Sequence, residues 1–577
     1  MTVKSLTLER LKKSTDLTEV AILLGVKPSA LSHALYITPT AKKYHTFSIP
    51  KKRGGERIIT APNERLKLIQ ARLAALLLQI EQDLEATQSK SCILAHGFKN
   101  ELSIITNAAK HRNRRFVFNV DLKDFFPSIN FGRVRGFFMA NRDFQLSEKA
   151  ATILAQIACH QNKLPQGSPC SPPISNLIGQ ILDVHLNKLA KECRCTYTRY
   201  ADDITFSTNQ KKFPEKIAVL QAGSEHTWVP SDELSFRIIR AGFELNKQKT
   251  NMQYRDSRQT TTGLIVNQKL NVPVEYYKTV RATCHKLFTT GTAFRKLGSK
   301  LIPTTPPKIR GQLSFLFHIK GLETGHRKLP KPEMPNFYKL YAQFLNFMSF
   351  WAISQPTLVC EGKTDNIYIR SAIRALSAKF PDLVEKKDGK ERIKLTFFKY
   401  TGIAKTIQDL SGGNGQLKNL VREYPGRTEK FKVQPAHPVI VVTDVDKGAV
   451  DLFKAVSDEV GKTILGHEQP WYFLRDNLYV VPVPKGAGAE TAIEDLFDSA
   501  LLTTEIDGKK FDRTNHEKDG DKFYSKFTFA TKVISASKTP IDYGGFEPLL
   551  QAILDVQADY AARIAAPPVG TAAAAAS

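Results

Sequence analysis

Two adjacent aspartates, Asp202 and Asp203, lie between aromatic and β-branched residues in the segment TRYADDITFS, residues 198–207. The flanking residues predict two strands joined by a tight turn, with both carboxylates at its tip. Adjacent like charges repel each other, and turns of this kind usually contain Asn-Gly or Asp-Gly instead. Two adjacent aspartates on their own are more often part of a solvated turn, so their role depends on which other residues lie near them in the folded chain.

A second segment, FVFNVD at 116–121, predicts a strand that ends in Asp121. If this strand pairs with the hairpin at 200–203, three carboxylates meet at one edge of a sheet. Such anions repel each other, and oxygen-only ligands favour Mg²⁺, with Mn²⁺ as the alternative. Two such ions, about 3.5–4 Å apart, can activate an attacking hydroxyl and stabilise a leaving phosphate. The aspartates therefore predict a two-metal site.

The net charge of +27 is distributed unevenly along the 577 residues. Residues 1–350 contain 53 Lys and Arg against 26 Asp and Glu, whereas residues 351–577 contain 30 of each. A basic excess of this size favours a polyanionic partner, because neutralising phosphates releases counterions and supplies much of nucleic-acid affinity. The difference between the two parts predicts a domain boundary near residue 350.

The sequence shows no sign of secretion or of a membrane span. No apolar run reaches spanning length, and the N-terminal MTVKSLTLERLKK lacks the apolar core of a signal peptide. The seven cysteines form no CxxC pair and no zinc spacing, which favours buried free thiols in a reducing compartment. We expect a cytoplasmic protein without a membrane partner.

The segments VDLKDFF, LPQGSPCSPPISNL and YADD follow one another in this order, and together they resemble the palm of reverse transcriptases. The resemblance implies an α+β right-hand polymerase fold with fingers, palm and thumb. It also implies that Asp121 and Asp202 bind the catalytic Mg²⁺ ions, with Asp203 as a less direct third carboxylate.

The same resemblance implies residues that contact the nucleotide. Phe126, five residues after Asp121, corresponds to an aromatic steric gate against the 2′-hydroxyl of a ribonucleotide, which predicts a preference for dNTPs. Gln166 and Gly167 would lie under the nucleotide and the template, where glycine permits close backbone approach. Lys249, in LNKQKT, matches a lysine placed near the triphosphate as a candidate general acid.

A basic turn in a fingers-like segment offers further phosphate contacts. Its candidates are Lys52, Arg53 and Arg57, of which Arg57 is the best match. An ordinary solvated basic surface is the alternative interpretation of this turn.

Two short signatures narrow the resemblance to retron reverse transcriptases. NAAKH at 107–111 matches their NAxxH signature, and TTG at 261–263 occupies the place of their usual VTG. A polar helix face with no RNA contact is the alternative for the first signature. The residues implied to recognise the cognate RNA are Asn107, Ala108, His111, Thr262 and Gly263.

A retron enzyme binds its own structured non-coding RNA, primes from the 2′-hydroxyl of a guanosine and copies part of that RNA. Its product is branched RNA–DNA, the multicopy single-stranded DNA (msDNA). The basic helical residues after the palm would form the thumb that grips the duplex. Since no acidic RNase H pattern is present, a host RNase H would remove the template. The sequence is compatible with a monomer or a homo-oligomer.

A second set of acids follows apolar runs in the C-terminal part. TLVCEGKTD predicts a strand ending at Glu361, and VIVVTDVDKG predicts another ending at Asp444 and Asp446. Residues i and i+2 of an extended chain point the same way, and sites in parallel sheets form at the carboxyl ends of strands. The alternatives are a helix cap for an aspartate and a plain strand-to-helix loop for EGKTD.

Together these segments resemble the Toprim domain of topoisomerases, primases and overcoming-lysogenization-defect nucleases. The resemblance implies a glutamate that acts as acid/base or metal ligand, and a DxD pair that binds one or two Mg²⁺ ions. Lys363 and Asp365 fit the nuclease-like variant. Glu494, in AIEDLF at 492–497, is a candidate ligand for a second metal, with a solvated helix face as the alternative. We assign no role to the Gly-rich segment SGGNGQ at 411–416.

We interpret the chain as a retron reverse transcriptase fused to a Toprim nuclease, which acts on a nucleic-acid target as the toxic effector of anti-phage defence. The alternative is a group II intron-like reverse transcriptase whose C-terminal half aids integration or only binds nucleic acid. The predicted domains are fingers and palm at 1–265 with N-terminal helices at 1–40, a thumb at 266–352, a Rossmann-like α/β Toprim domain with a parallel sheet at 353–500, its extension at 501–562, and a disordered or vector-derived tail at 563–577.

Overall fold

The computed structural model divides into two compact units, Met1–Pro273 and Val274–Ser577. The predicted thumb therefore belongs almost entirely to the second unit. Lys52, Arg53 and residues 566–577 of the predicted tail lie outside the described residues. The residues that the structure describes are 6–51, 55–87, 93–297, 300–322, 325, 333–387, 389–484, 490–512, 522–536 and 540–565.

The first unit surrounds one hydrophobic core with helices and a four-stranded sheet. Its helices are α1 (Leu6–Lys13), α2 (Leu17–Leu23), α3 (Pro28–Ser32), α4 (Thr40–Lys43), α5 (Glu64–Thr87), α6 (Ile104–Ala109), α7 (Phe131–Ala140), α8 (Glu148–Ala158), α9 (Ser171–Glu192) and α10 (Asp232–Arg240). Its strands are β1 (Tyr44–Pro50), β2 (Glu56–Pro62), β3 (Phe116–Asp121), β4 (Thr196–Tyr200), β5 (Asp203–Thr208), β6 (Ala218–Leu220), β7 (Trp228–Pro230), β8 (Asn251–Tyr254), β9 (Thr260–Thr261) and β10 (Leu264–Ile265).

The four-stranded sheet has the order β4–β5–β3–β8, with every neighbouring pair antiparallel. Alternate residues of a strand face opposite sides, and Phe118 and Val120 of β3 share the core with Ile204 and Phe206 of β5. The apolar alternation that predicts these strands thus fixes their register, since a slip of one residue would expose this set. The polar ends of β3 and β5 consequently lie side by side.

Strands β1 and β2 form a separate hairpin whose outer half is exposed to solvent. Its inner half is tied to the loop before α9, because the Thr60 amide donates a hydrogen bond to the Gln166 carbonyl at 2.7 Å. This contact brings the fingers-like hairpin next to the LPQGSP segment.

The second unit contains a five-stranded sheet and several short hairpins. Its helices are α11 (Val274–Thr290), α12 (Pro306–Gly321), α13 (Asn336–Asn346), α14 (Asp365–Ala375), α15 (Asn414–Thr428), α16 (Val450–Val460), α17 (Ser499–Leu502), α18 (Lys526–Thr528) and α19 (Glu547–Ala565). Its strands are β11 (Phe294–Leu297), β12 (Lys300–Pro303), β13 (Thr357–Cys360), β14 (Val384–Lys387), β15 (Lys390–Ile393), β16 (Thr396–Phe397), β17 (Val439–Thr443), β18 (Tyr472–Arg475), β19 (Leu478–Pro482), β20 (Lys510–Phe511) and β21 (Phe523–Tyr524).

The five-stranded sheet has the order β16–β13–β17–β19–β18 and is parallel except for β18. Strands β13 and β17 are buried along their whole length, which explains why TLVC and VIVVT are continuous apolar runs rather than alternating ones. The carboxyl ends of these two neighbouring strands lie at the same edge of the sheet.

An aromatic cluster joins the predicted thumb to the C-terminal sheet region within the second unit. Phe288 and Phe347 pack against Phe431, with ring centroids 5.3 and 5.0 Å apart, and the Trp351 indole donates a hydrogen bond to the Val433 carbonyl. Because this buried aromatic packing joins the predicted thumb to the C-terminal sheet region, the boundary between the two units lies before α11 and not near residue 350.

No single helix in the described part of the chain is long and apolar enough to cross a membrane. The helix pair Leu17–Leu23 and Pro28–Ile37 is together long and apolar enough, but the two helices are bent by 110° relative to each other.

Candidate active sites

The structure brings the three aspartates of the first unit together at one end of the four-stranded sheet β4–β5–β3–β8, which we call the palm sheet. Asp121 is the last residue of β3 and is the register partner of Asp203, the first residue of β5. Asp202 lies in the turn between β4 and β5, and its carbonyl accepts a hydrogen bond of 3.0 Å from the Leu122 amide. This convergence is the arrangement that the two strand patterns predict.

Burial and repulsion between the carboxylates both shift the pKa values in this cluster. Burial and the negative charge of Asp121 raise the pKa of Asp202. Burial, followed by the charges of Asp202 and Asp121, raises the pKa of Asp203 to about 6. A nearby cation would relieve the repulsion in the ionised state.

Lys249 provides the cation in this structure. Its ammonium nitrogen lies 2.8 Å from one Asp121 oxygen and 2.9 Å from the other. Across the described ranges, no three or more His, Cys, Asp or Glu side chains are arranged to hold a metal ion. The all-carboxylate donors nevertheless match what Mg²⁺ prefers, and a divalent ion would have to share Asp121 with Lys249 or displace it.

The LPQGSP segment lies directly against strand β2. Gly167 has φ +127°, and a Cβ added there would lie 2.8 Å from the Thr60 carbonyl oxygen, so the position requires glycine. Gln166 is half-buried and holds the same strand through its carbonyl. Glycine thus lets the loop approach the fingers-like hairpin, which is the close backbone approach that the sequence predicts for this residue.

Phe126 and Arg57 have different surroundings. The half-buried ring of Phe126 packs against the rings of Phe125 and Phe98, with centroid distances of 5.4 and 6.1 Å. These two contacts restrict the orientation of the Phe126 ring. Arg57 is exposed on the hairpin, and its charge acts to lower the pKa of Asp202. An exposed guanidinium close to this carboxylate is available to a phosphate group.

Three of the five residues of NAAKH are buried against the four-stranded sheet, whereas Ala109 and Lys110 are exposed. His111 is fully buried, and its two ring nitrogens contact the hydroxyls of Ser207 and Thr198, each at 2.7 Å. Burial lowers its pKa to about 3, so the ring is neutral. Asn107 and Ala108 are also buried. A direct RNA contact by these three side chains is not available in this conformation, and their RNA-binding role stays a prediction.

Thr262 and Gly263 form the two-residue turn between β9 and β10. Their φ values of +48° and +83° are those of a type I′ turn, in which glycine is favoured and a β-branched residue is strained. The Thr262 hydroxyl donates a hydrogen bond of 3.2 Å to the carbonyl of Ile104, the first residue of α6. The turn therefore contacts the first residue of α6, the helix that contains Asn107 and Ala108.

The acids of the second unit gather at the carboxyl edge of its parallel sheet. Glu361 follows β13, and Asp444 and Asp446 follow the neighbouring strand β17. One Asp444 oxygen accepts a hydrogen bond of 2.9 Å from the Ile493 amide. Asp446 caps the next helical turn by accepting from the Ala449 amide at 3.0 Å, so the helix-cap alternative describes its contact in this structure.

Burial and neighbouring acids raise the pKa values of Glu361 and Asp444. Burial, then the charges of Asp446 and Asp365, raise the pKa of Glu361 to about 7. Burial, then Asp365, Glu361 and Glu494, raise the pKa of Asp444 to about 8. One Glu361 oxygen, Oε2, is buried without a hydrogen-bond partner among the described residues. An orphaned carboxylate oxygen in a set of oxygen donors fits a divalent cation.

Two further residues near this edge were assigned no role from the sequence. Lys526 lies 3.1 Å from a carboxylate oxygen of Glu494; burial acts to lower the pKa of the lysine, but the charge of Glu494 and their hydrogen bond raise it. Asn414 accepts a hydrogen bond of 2.9 Å from the Thr443 hydroxyl and acts to lower the pKa of Glu361. The Gly-rich segment SGGNGQ contains Asn414 and could have drawn attention to it, whereas the sequence around Lys526 predicts no role for that residue.

The remaining candidates take distinct positions. Glu494 is fully buried, so the alternative of a solvated helix face is wrong. Asp365 accepts a hydrogen bond of 2.7 Å from the Gly362 amide, while Lys363 is exposed. A Cβ added at Gly412 would lie 2.8 Å from the Glu361 carbonyl oxygen, which places the Gly-rich loop against the candidate site.

The relatives compared here align with about half of the chain. The profile of the family described as "Reverse transcriptase (RNA-dependent DNA polymerase)" matches residues 49–278. Retron Ec86 reverse transcriptase of Escherichia coli is 30% identical over 291 residues, covering 50% of this chain and 79% of that protein. The chain belongs to the retron reverse transcriptase family. This membership gives the first unit the reverse transcriptase polymerase fold and decides against the group II intron-like class.

Two further members of the retron family come from Myxococcus xanthus. Retron Mx65 reverse transcriptase is 35% identical over 288 residues, or 46% of this chain and 62% of that protein. Retron Mx162 reverse transcriptase is 33% identical over 277 residues, or 43% of this chain and 53% of that protein. The chain thus spans between half and two thirds of the length of these two relatives.

Proposed function

We propose that the chain is the RNA-directed DNA polymerase of a retron, which copies its own structured non-coding RNA into branched msDNA from an RNA 2′-hydroxyl. The observation that carries this proposal is the convergence of Asp121, Asp202 and Asp203 at one sheet edge in a member of the retron family. These carboxylates would hold Mg²⁺ ions, whose chemistry is activation of the attacking hydroxyl and stabilisation of the leaving pyrophosphate.

The surrounding residues would handle the nucleotide. Arg57 and Lys249 carry the positive charges that an incoming triphosphate needs, and Lys249 would move from Asp121 toward the phosphates. The supported ring of Phe126 would exclude a 2′-hydroxyl and thereby favour dNTPs over ribonucleotides. The basic excess of residues 1–350 would hold the RNA and the RNA–DNA duplex.

A primer-extension assay tests the polymerase. The purified full chain is given an RNA template, an annealed DNA primer, dNTPs and Mg²⁺, with the double variant Asp202→Asn/Asp203→Asn as the matched control. We expect extension by the parent and a loss of about 10⁴-fold or more in the variant. Equal extension by both proteins would show that another polymerase had co-purified and would overturn the proposal.

We also propose a second activity for the acids of the second unit: Mg²⁺-dependent hydrolysis of phosphodiester bonds by a Toprim-like site. The unpartnered oxygen of Glu361 and the raised pKa values of Glu361 and Asp444 support it, because a divalent cation would satisfy this oxygen and relieve the repulsion among the buried acids. Asp446 and Glu494 would complete the ligand set. In a retron this nuclease would be the toxic effector of phage defence, restrained by the RNA–DNA product.

Toxicity and DNA synthesis separate this second activity from the first. Glu361→Gln and Asp444→Asn should abolish growth arrest and Mg²⁺-dependent cleavage of DNA or RNA, while primer extension stays at the parent level. Toxicity that survives in both variants would overturn the nuclease proposal. A second unit that binds nucleic acid but never cleaves it would support the binding-platform alternative.

The partners follow from these activities. The cognate RNA, msDNA, dNTPs and a nucleic-acid target of the second unit would be bound by the protein, and a host RNase H would remove the copied template. We place the protein in the cytoplasm, where the six free cysteines within the described residues would stay reduced.

A further inference from the structure

The largest fully buried side chain in the described structure belongs to the strand that precedes the catalytic turn. Arg199 is the fourth residue of β4, three positions before Asp202, and it is 0% exposed. A buried guanidinium is costly unless it is paired and hydrogen-bonded. The contacts of this side chain therefore show what its burial achieves.

Asp183 on helix α9 fixes the guanidinium through two parallel hydrogen bonds. Arg199 Nε donates to Oδ1 and Nη2 donates to Oδ2, both at 2.7 Å. The hydroxyl of Tyr197 donates to the same carboxylate at 2.7 Å. A Cβ added at Gly179 would lie 2.7 Å from Nη2, so the planar group rests against the helix backbone. A bidentate pair in this confined space has one orientation.

The remaining nitrogen of the guanidinium reaches the turn itself. Arg199 Nη1 donates to the carbonyl of Ala201 at 3.2 Å and to Asn176 Oδ1 at 3.4 Å. Ala201 has φ +56°, a left-handed conformation that is unfavourable for a residue with a Cβ. The hydrogen bond thus holds the strained residue that immediately precedes Asp202.

A neighbouring segment packs onto the same turn from the other side. The Asn176 amide donates to the Gly97 carbonyl at 2.6 Å, and a Cβ added at Gly97 would lie 2.9 Å from the Ala201 nitrogen. The Arg199 carbonyl accepts from the His96 amide at 2.8 Å. Backbone and the guanidinium therefore pack against Ala201, while Asp202 is half-buried and Asp203 is exposed.

Packing alone does not require this ion pair, because apolar residues of similar volume usually fill such a site at equal or lower cost. We infer that Arg199 is a positioning residue for DNA synthesis. Fixed by Asp183, it holds the Ala201 carbonyl and thereby sets the direction in which Asp202 and Asp203 project toward Asp121. This inference rests on the proposed polymerase function, and it adds to that function a device behind the carboxylates.

Two variants test the role of this guanidinium. Arg199→Lys keeps the charge next to Asp183 but lacks the planar fork that reaches the turn at the same time. Arg199→Met/Asp183→Leu removes both charges and keeps the volume, so the core stays filled. Tyr197→Phe is the matched control, since it removes a hydrogen bond to the same carboxylate without touching the turn.

The readouts are kcat, the KM for dTTP, the Mg²⁺ concentration at half-maximal rate, and the melting temperature of the full chain. We expect kcat to fall about 100-fold in both variants, because a misplacement of about 1 Å costs that much. The Mg²⁺ midpoint should rise, while the KM for dTTP, set by Arg57 and Lys249, stays near the parent value. The double variant should melt close to the parent, and Tyr197→Phe should keep the parent kcat and Mg²⁺ midpoint.

Parent-like kcat and Mg²⁺ midpoint in either folded variant would overturn the positioning role. Loss of the folded state in both variants would assign the pair a purely structural role and would overturn it as well. A parent enzyme without primer extension would instead contradict the proposed polymerase function, which distinguishes the two failures.

Discussion

Lys249 holds both carboxylate oxygens of Asp121, with its ammonium 2.8 and 2.9 Å away, at the edge of the palm sheet. A divalent cation at Asp121 would compete with this ammonium for the same oxygens. The Lys249 side chain is 53% exposed and that of Asp121 is 9% exposed, so water screens the pair from the side of the lysine.

Removing the lysine should tighten metal binding in the absence of nucleotide. Lys249→Met is expected to lower the dissociation constant for Mn²⁺ by up to about fivefold, the size of an exposed ion pair. Titration of Mn²⁺ followed by electron paramagnetic resonance measures it. Lys247→Met, a change of an exposed lysine in the same short turn, is the control and should leave the constant unchanged. Weaker Mn²⁺ binding by Lys249→Met would contradict the competition.

The palm carboxylates should make metal-free stability depend on pH. Burial and its acidic neighbours raise the pKa of Asp203 from 3.8 to about 6, so between these values the folded state retains a proton that the unfolded state has lost. The free energy of unfolding consequently falls as pH rises through this window. Asp203→Asn, which cannot ionise, should melt higher than the parent at pH 7–8 in EDTA and equally at about pH 4. A difference that is constant with pH would exclude this origin.

The stability of the metal-free second unit should also fall as pH rises, and over a wider pH range. The pKa of Asp444 is raised to about 8, mainly by burial and then by Asp365 and Glu361, so its destabilising effect grows from about pH 4 to pH 8. Asp444→Asn should therefore stabilise the metal-free protein most at pH 8–9. Asp451 is a control of opposite sign, because its hydrogen bond with Lys418 lowers its pKa, and Asp451→Asn should give no gain. Thermal unfolding with a chelator measures both.

His111 should be needed for folding. Replacing it with alanine removes a fully buried ring and leaves the Ser207 and Thr198 hydroxyls without their partner, at a cost of about 2–4 kcal/mol. Chemical denaturation of His111→Ala measures this loss. Lys110→Ala changes an exposed residue of the same signature and should leave stability intact. Parent-like stability of His111→Ala together with weaker binding of the cognate RNA would restore a direct RNA contact.

The local patterns around Asp121 and Asp202 were sufficient to predict the palm hairpin. Alternating apolar residues fix strand faces and register, and the pairing of β3 with β5 that the prediction required is present in the structure. Glu361 and Asp444 were predictable for a similar reason, since each follows a continuous apolar run of the kind found inside parallel sheets. In both cases the acidic residues lie at the end of a strand whose burial the sequence specifies.

Other features depend on contacts that leave no local signal. Lys526 and Glu494 lie on different elements, and the sequence around neither residue predicts their contact. His111 is a polar residue after a short helix, a pattern shared by exposed and buried histidines, and only the hydroxyls of β4 and β5 explain its burial. The charge change near residue 350 reports surface composition, whereas the division before α11 reflects buried aromatic packing around Phe431.

The central claim is that this chain makes and holds a branched RNA–DNA product. The most direct test is to express the full chain with its upstream non-coding region, extract the co-purifying nucleic acid and resolve it on a denaturing gel before and after RNase and debranching treatment. We predict a discrete DNase-sensitive band that shifts on debranching and is absent from the Asp202→Ala/Asp203→Ala variant. Absence of the band from a parent protein that extends primers, or a band that persists in the variant, would contradict the claim.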